Sequence, residues 1–177
     1  MKKILCIAFM ILGLGLGLRA QENATVDLDP QYATELLKVG TVAPDFSIPD
    51  ADGKIVKLSD YKGKWVVIDF WASWCRDCRA DIPAMKEAFS KYGTKVVFLG
   101  VSFDDDREAW TKTVSQQGLG WTQVSELKKM KETVVAPLYK IGWIPTMYVI
   151  DPQGKVALAT VMVGKMTAKL EEVTSRK

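Results

Sequence analysis

The sequence predicts an α/β sandwich with one site at the edge of a largely parallel sheet. Three observations predict it. Strand-like and helix-like segments alternate through residues 65–117, which implies parallel strands covered on both faces. Glycine-turned hairpins flank that block, at Asp52-Gly53 on one side and Asp151-Pro152-Gln153-Gly154 on the other. A cysteine pair, Cys75 and Cys78, falls where a buried strand gives way to a helix, the carboxyl edge at which such sheets place their sites.

Each element has its own warrant. Lys2 and Lys3 precede an apolar run from Ile4 to Leu18, and Ala20 leads into polar Gln21-Glu22-Asn23. Residues 1–20 therefore read as a signal peptide cleaved after Ala20. The alternative is an uncleaved anchor, but the run of 15 is short against the roughly 20 residues that span a bilayer. Residues 21–39 form an N-terminal tail with a helical turn expected around Gln31 to Lys38, and residues 40–177 form the domain. Phe46-Ser47-Ile48 and Ile55-Val56-Lys57-Leu58 are the arms of the first hairpin. Trp65 to Phe70 is nearly all apolar, as a strand buried on both faces should be. Cys75 to Tyr92 reads as a helix whose Ile82, Met85, Ala88, Phe89 and Tyr92 recur at helical spacing, with Gly93 as its stop. Lys95 to Val101 is a second buried strand. The run Asp104 to Asp106 reads as the cap of a helix ending at Gln117 rather than a cation site. Ser125 to Tyr139 is expected to be helical, Met147 to Ile150 and Val156 to Thr160 to pair, and Thr167 to Ser175 to close the chain as a helix.

Composition narrows the chemistry. The chain has 177 residues and no histidine, which removes Ser-His-Asp and Cys-His catalysis and every histidine-containing metal site. Its net charge of +3 comes from Lys2, Lys3 and Arg19, since residues 21–177 carry 21 charges of each sign. A neutral mature chain offers no electrostatic footprint for nucleic acid. With the signal removed, three cysteines become two. A bridge between Cys75 and Cys78 would close too short a loop to act as a structural staple, and zinc would need ligands that are absent. The remaining reading is a redox pair that needs no bound cofactor or metal.

The helix start favours a thiolate at Cys75 and makes it the nucleophile, with Cys78, one turn inward, resolving the mixed disulfide. Arg76 should favour that thiolate and Asp77 oppose it, which leaves the net direction open.

These residues carry a resemblance. Phe70-Trp71-Ala72-Ser73-Trp74-Cys75-Arg76-Asp77-Cys78 resembles the thioredoxin-fold signature, Ile144-Pro145-Thr146 the cis-proline loop of that family, and Pro83 the proline that kinks its active-site helix. Gly40 to Phe46 and Leu58 to Lys64 resemble the N-terminal hairpin segment of the exported, thiol-reducing TlpA/ResA-like branch. The resemblance implies a thioredoxin-like three-layer α/β/α sandwich with a mixed central sheet and an N-terminal hairpin extension. It implies that Asp69 is the buried acid beneath the pair, and that Asp81 stands where the branch usually has Glu. Either would accept the proton of Cys78. Ile144 and Pro145 would face an incoming peptide, with Trp74 and Trp143 at the rim. Trp65, Trp71, Trp110 and Trp121 are expected to pack.

The function implied is reduction of disulfides in envelope proteins of the periplasm, within cytochrome c maturation. A membrane thiol carrier of the CcdA or DsbD kind would supply electrons. Two alternatives stay open: a disulfide-introducing oxidase or isomerase on the same fold, and a non-catalytic binding module. A peroxiredoxin needs Pro-x-x-x-Thr/Ser-x-x-Cys, and Ile68 and Ala72 occupy those positions before Cys75.

Overall fold

The computed structural model describes residues 26–175, so the expected signal peptide lies outside the described residues. A four-residue helix, α1 (Asp29–Tyr32), precedes the hairpin β1 (Ser47–Pro49) and β2 (Ile55–Lys57). The remaining elements are β3 (Trp65–Trp71), α2 (Arg76–Tyr92), β4 (Val96–Ser102), α3 (Arg107–Gln117), β5 (Thr122–Ser125), α4 (Val135–Leu138), β6 (Thr146–Ile150), β7 (Val156–Thr160) and α5 (Val163–Ser175). Five strands form one sheet in the order β5-β4-β3-β6-β7. β3, β4 and β5 run parallel, while β6 and β7 pair antiparallel. The mixed sheet and thioredoxin-like sandwich that the sequence predicts are the observed fold.

β3 is central because it can be buried on both sides. Phe70 faces a cluster of Phe103, Tyr139 and Tyr148, with Phe46 beyond Tyr139. On the opposite face, Asp69 and Trp71 meet Cys78, Asp81, Ile82 and Met85 of α2. α2 in turn packs on α5, where Glu171 accepts hydrogen bonds from Lys91 and the Tyr92 hydroxyl, each at 2.6 Å. Pro83 sits inside α2 and has no N–H to donate to the turn before it. Trp71, Trp110 and Trp121 are buried and Trp65 is half-buried, so all four pack as expected.

The structure departs from the sequence reading in four places. Residues 125–139 do not form one helix. Thr122–Ser125 is an edge strand, Met130–Glu132 is a single 3-10 turn, and only Val135–Leu138 is α-helical. Leu127 and Lys140 take positive φ, which no helix accommodates, and the Glu126 carboxylate accepts from the Val134 and Val135 amides to start α4. The acidic run divides its labour. Asp106 alone caps α3, through the Glu108 and Ala109 amides, while Asp104 turns inward. The early helical turn lies at Asp29–Tyr32, ahead of its expected place, and α5 begins four residues before Thr167.

The described residues of the expected tail are fastened to the domain. The Asp29 carboxylate accepts from the Thr160 hydroxyl, the Val161 amide and Lys165, and Leu36 is buried. The Leu37 amide donates to the Tyr148 hydroxyl, which itself donates to the Tyr139 carbonyl.

Candidate active site

The site begins with the end of β3. The chain leaves Trp71, turns through Ala72-Ser73-Trp74, and enters α2 with Cys75 as its N-cap residue. The first four amides of an α-helix have no partner within the helix, and a cap residue can supply one. Here the Cys75 sulfur accepts from the Cys78 amide at 3.1 Å. Cys75 and Cys78 are joined by a disulfide, both are buried, and the Cys75 sulfur lies 3.7 Å from the Ile144 carbonyl oxygen. The Ile144–Pro145 peptide is cis, as the resemblance implied.

Behind the pair lies a narrow recess lined by Asp69, Cys78, Asp81, Pro145 and the side chains of Trp71 and Met85 among others. Both expected acids therefore line one recess with Cys78. Burial pushes the Asp69 carboxyl up to about 7, with the neighbouring Asp81 adding to the rise. Asp81 is half-buried and is pushed up to about 6, by burial first and by Asp77 second. Among the described residues no hydrogen bond reaches the Asp69 carboxyl. A group in that state can hold or release a proton near neutral pH, which is what a thiol proton acceptor requires.

The outer contour has two sides. Trp74 is 59% exposed and borders a surface groove with Phe103, Asp105 and Lys129. Trp143 is 38% exposed and stacks on Tyr32, with ring centroids 4.2 Å apart. The two tryptophans thus line separate surface grooves, and Ile144, whose carbonyl oxygen approaches the Cys75 sulfur, is buried.

Two features of the site were not anticipated. Asp104, nearly fully buried, accepts from the Ser73 amide at 3.0 Å and from the Ser73 and Ser102 hydroxyls, each at 2.6 Å. It thereby fixes the loop that delivers Cys75. The second is Tyr32, which braces Trp143 from the N-terminal segment. The Ser73-to-Asp104 spacing of 31 residues carries no sequence signal, whereas a buried role for an acid in a strand-ending Ser-Phe-Asp could have been suspected. Among the described residues no group of three or more metal-ligating side chains comes together, and no helix is long and apolar enough to cross a membrane.

A disulfide at a helix N-terminus, opposite a cis-proline and above two acids, defines a thioredoxin-fold dithiol–disulfide exchanger. The chain belongs to the AhpC/TSA family, which its residues 39–159 match, and within that family it is a thiol-disulfide oxidoreductase of the ResA/TlpA type. It is 34% identical to the thiol-disulfide oxidoreductase ResA of Bacillus cereus over 123 residues, 69% of each chain. Among solved structures it resembles a thiol:disulfide interchange protein from a Bacteroides species, with TM-score 0.72 and 31% identity over 80% of this chain and 93% of that one. It also resembles a thiol-disulfide oxidoreductase from Bacteroides fragilis, with TM-score 0.70 and 29% identity over 75% and 99% of the two chains.

Proposed function

We propose that this oxidoreductase works as a reductase of protein disulfides after export. The observation that carries the reading is Asp69 and Asp81 converging with Cys78 on one recess. In the reduced protein the Cys75 thiolate attacks a substrate disulfide. A bond forms between Cys75 and one substrate sulfur, the substrate S–S bond breaks, and the leaving thiolate takes a proton from solvent. Asp69 or Asp81 then accepts the proton of Cys78, and the Cys78 thiolate attacks the Cys75 sulfur. The Cys75–Cys78 disulfide forms and the second substrate thiolate departs, so two electrons have passed from protein to substrate. Trp74, Trp143, Ile144 and Pro145 supply the surface on which the substrate backbone lies. No bound cofactor is required beyond the cysteine pair.

The oxidised pair must be recharged by a dithiol donor, and the ResA/TlpA type supports a membrane thiol carrier of the CcdA or DsbD kind, with envelope apocytochromes among the substrates. Residues 1–20, read as a cleaved signal peptide, support a periplasmic location. The reduction potential of residues 21–177, equilibrated against glutathione or dithiothreitol, tests the direction. A value near about −270 mV or lower fits a reductase, and one near about −120 mV replaces this reading with a disulfide-introducing oxidase. Asp77→Pro, which removes the carboxylate between the cysteines, is expected to shift that potential.

A further inference from the structure

Beside the disulfide runs a groove of about 620 Å³ whose walls differ in chemistry. One wall is α2, presenting Asp77, Ala80 and Asp81. The other is aromatic and aliphatic, with Trp143, Tyr32 and Leu28 opposite the chain from Val161 to Gly164. Pro145 lies in it too, so the groove continues from the backbone segment that faces Cys75. No Lys or Arg is among the described residues that line it, and the nearby Lys165 is occupied by Asp27 and Asp29 at 2.7 and 2.6 Å. The carboxylates of Asp77 and Asp81 therefore face an apolar trough without a cation of their own.

Leu28 and Tyr32 of the far wall come from a segment that precedes the family match, which begins at residue 39. Asp29, held by Thr160, Val161 and Lys165, fixes α1 against the start of α5. That places the Tyr32 ring flat on Trp143, at an interplanar angle of 22°. Stacking occupies one face of the indole and holds the ring as a fixed wall across from the acids.

We propose that this groove selects, among disulfide-bonded polypeptides, those carrying a lysine or arginine beside the reactive cysteine. Asp77, Trp143 and the brace Tyr32 act as specificity residues. A basic side chain has an aliphatic stem to lie along Trp143, Met162 and Leu28 and a cationic head to meet the α2 carboxylates. Its charge gains from the carboxylates and from the aromatic edge of the trough, each modest at a half-exposed site. An acidic side chain in the same place meets like charge and is rejected. The inference rests on the oxidoreductase reading and adds its substrate preference.

The test uses residues 21–177 in reduced form and three disulfide-bonded peptides that differ only in Lys, Leu or Glu next to the cysteine. Neutral 2-hydroxyethyl disulfide, too small to reach along the groove, is the reference. Expected second-order rate constants, each normalised to the reference, fall in the order Lys, Leu, Glu, with about five- to tenfold between the ends. The ratio shrinks in 0.5 M salt, as screening at that concentration demands. Asp77→Lys inverts the order. Tyr32→Ala collapses the ratio, and Tyr32→Phe, which keeps the ring, restores it. Equal rates for the three peptides, or an order that Asp77→Lys leaves unchanged, overturn the preference and leave the oxidoreductase reading intact. Failure to react with all three peptides and the reference alike sinks the reductase reading itself.

Discussion

Two buried aspartates lie on either side of the cysteine pair, and they are opposites. Asp104 is surrounded by donors: the Ser73 amide and hydroxyl and the Ser102 hydroxyl all point at its carboxylate. Asp69, on the far side of the pair, has burial without any such donor among the described residues, and its carboxyl is raised to about 7. A carboxylate surrounded by donors holds geometry. One that is desolvated and unbonded is free to change its protonation with the chemistry beside it. Burial alone thus says little about a charged residue's job; its hydrogen bonds say more.

The contrast can be broken most directly by pH. Unfolded, Asp69 ionises near 4, whereas in the oxidised fold it keeps its proton to about 7. Between these values the native state binds more protons than the unfolded one, so stability falls as pH rises from about 4 to about 7. The loss from Asp69 reaches up to about 4 kcal/mol. Asp81, raised to about 6 but half-solvated, adds a smaller loss of the same sign. Denaturant titrations across this range should show the slope in the parent and a flatter one in Asp69→Asn. A slope unchanged by that substitution would remove Asp69 from the account.

Asp104→Ala attacks the other side. It leaves the half-buried Ser73 and buried Ser102 donors without an acceptor, and is expected to cost about 3 kcal/mol in a urea unfolding series. Asp69→Asn should spare stability at pH 7 but slow disulfide exchange about a hundredfold, the low end of the range for a lost proton acceptor. Its pH–rate profile should lose the rise between about 6 and 7 that the paired acids give, read as a property of the pair. If Asp69→Asn were instead as destabilising as Asp104→Ala and equally active, the two acids would not differ in role. The smallest effect is expected of Ser73→Ala, which removes one hydroxyl from Asp104 and keeps the amide. A loss of about 1 kcal/mol in the same titration would show the clamp is shared among its donors.

The legible parts of the molecule were those fixed by local chemistry. The run Trp65 to Phe70, the periodicity of 75–92, Gly93 as a stop and the joint motif of Trp-Cys-Arg-Asp-Cys with Ile-Pro-Thr all act within a few residues, and the structure matches them. Residues 125–139 depart from the expected helix because their order is imposed from outside. Thr122–Ser125 is a strand only by pairing with β4, and Glu126 starts α4 by reaching eight and nine residues ahead. Gln123 was illegible for the same reason: its side chain lies where a Cβ on Gly100 would stand, and it accepts a hydrogen bond from the Trp71 indole. Asp104 and Tyr32 acquire their places from partners 31 and 111 residues away, distances over which no pattern survives.

Cys75 is both one sulfur of the redox pair and the cap of α2, and this joins chemistry to helix order. The Cys78 amide donates to that sulfur while it is bound in a disulfide. In the proposed cycle reduction leaves Cys75 a thiolate beside the same amide, and a charge-assisted hydrogen bond is roughly twice as strong as a neutral one. The first turn of α2 is therefore held more firmly in the electron-loaded protein than in the spent one. Hydrogen exchange at the Cys78 amide becomes a gauge of charge state, slow when the protein is ready to give electrons and faster once it has given them.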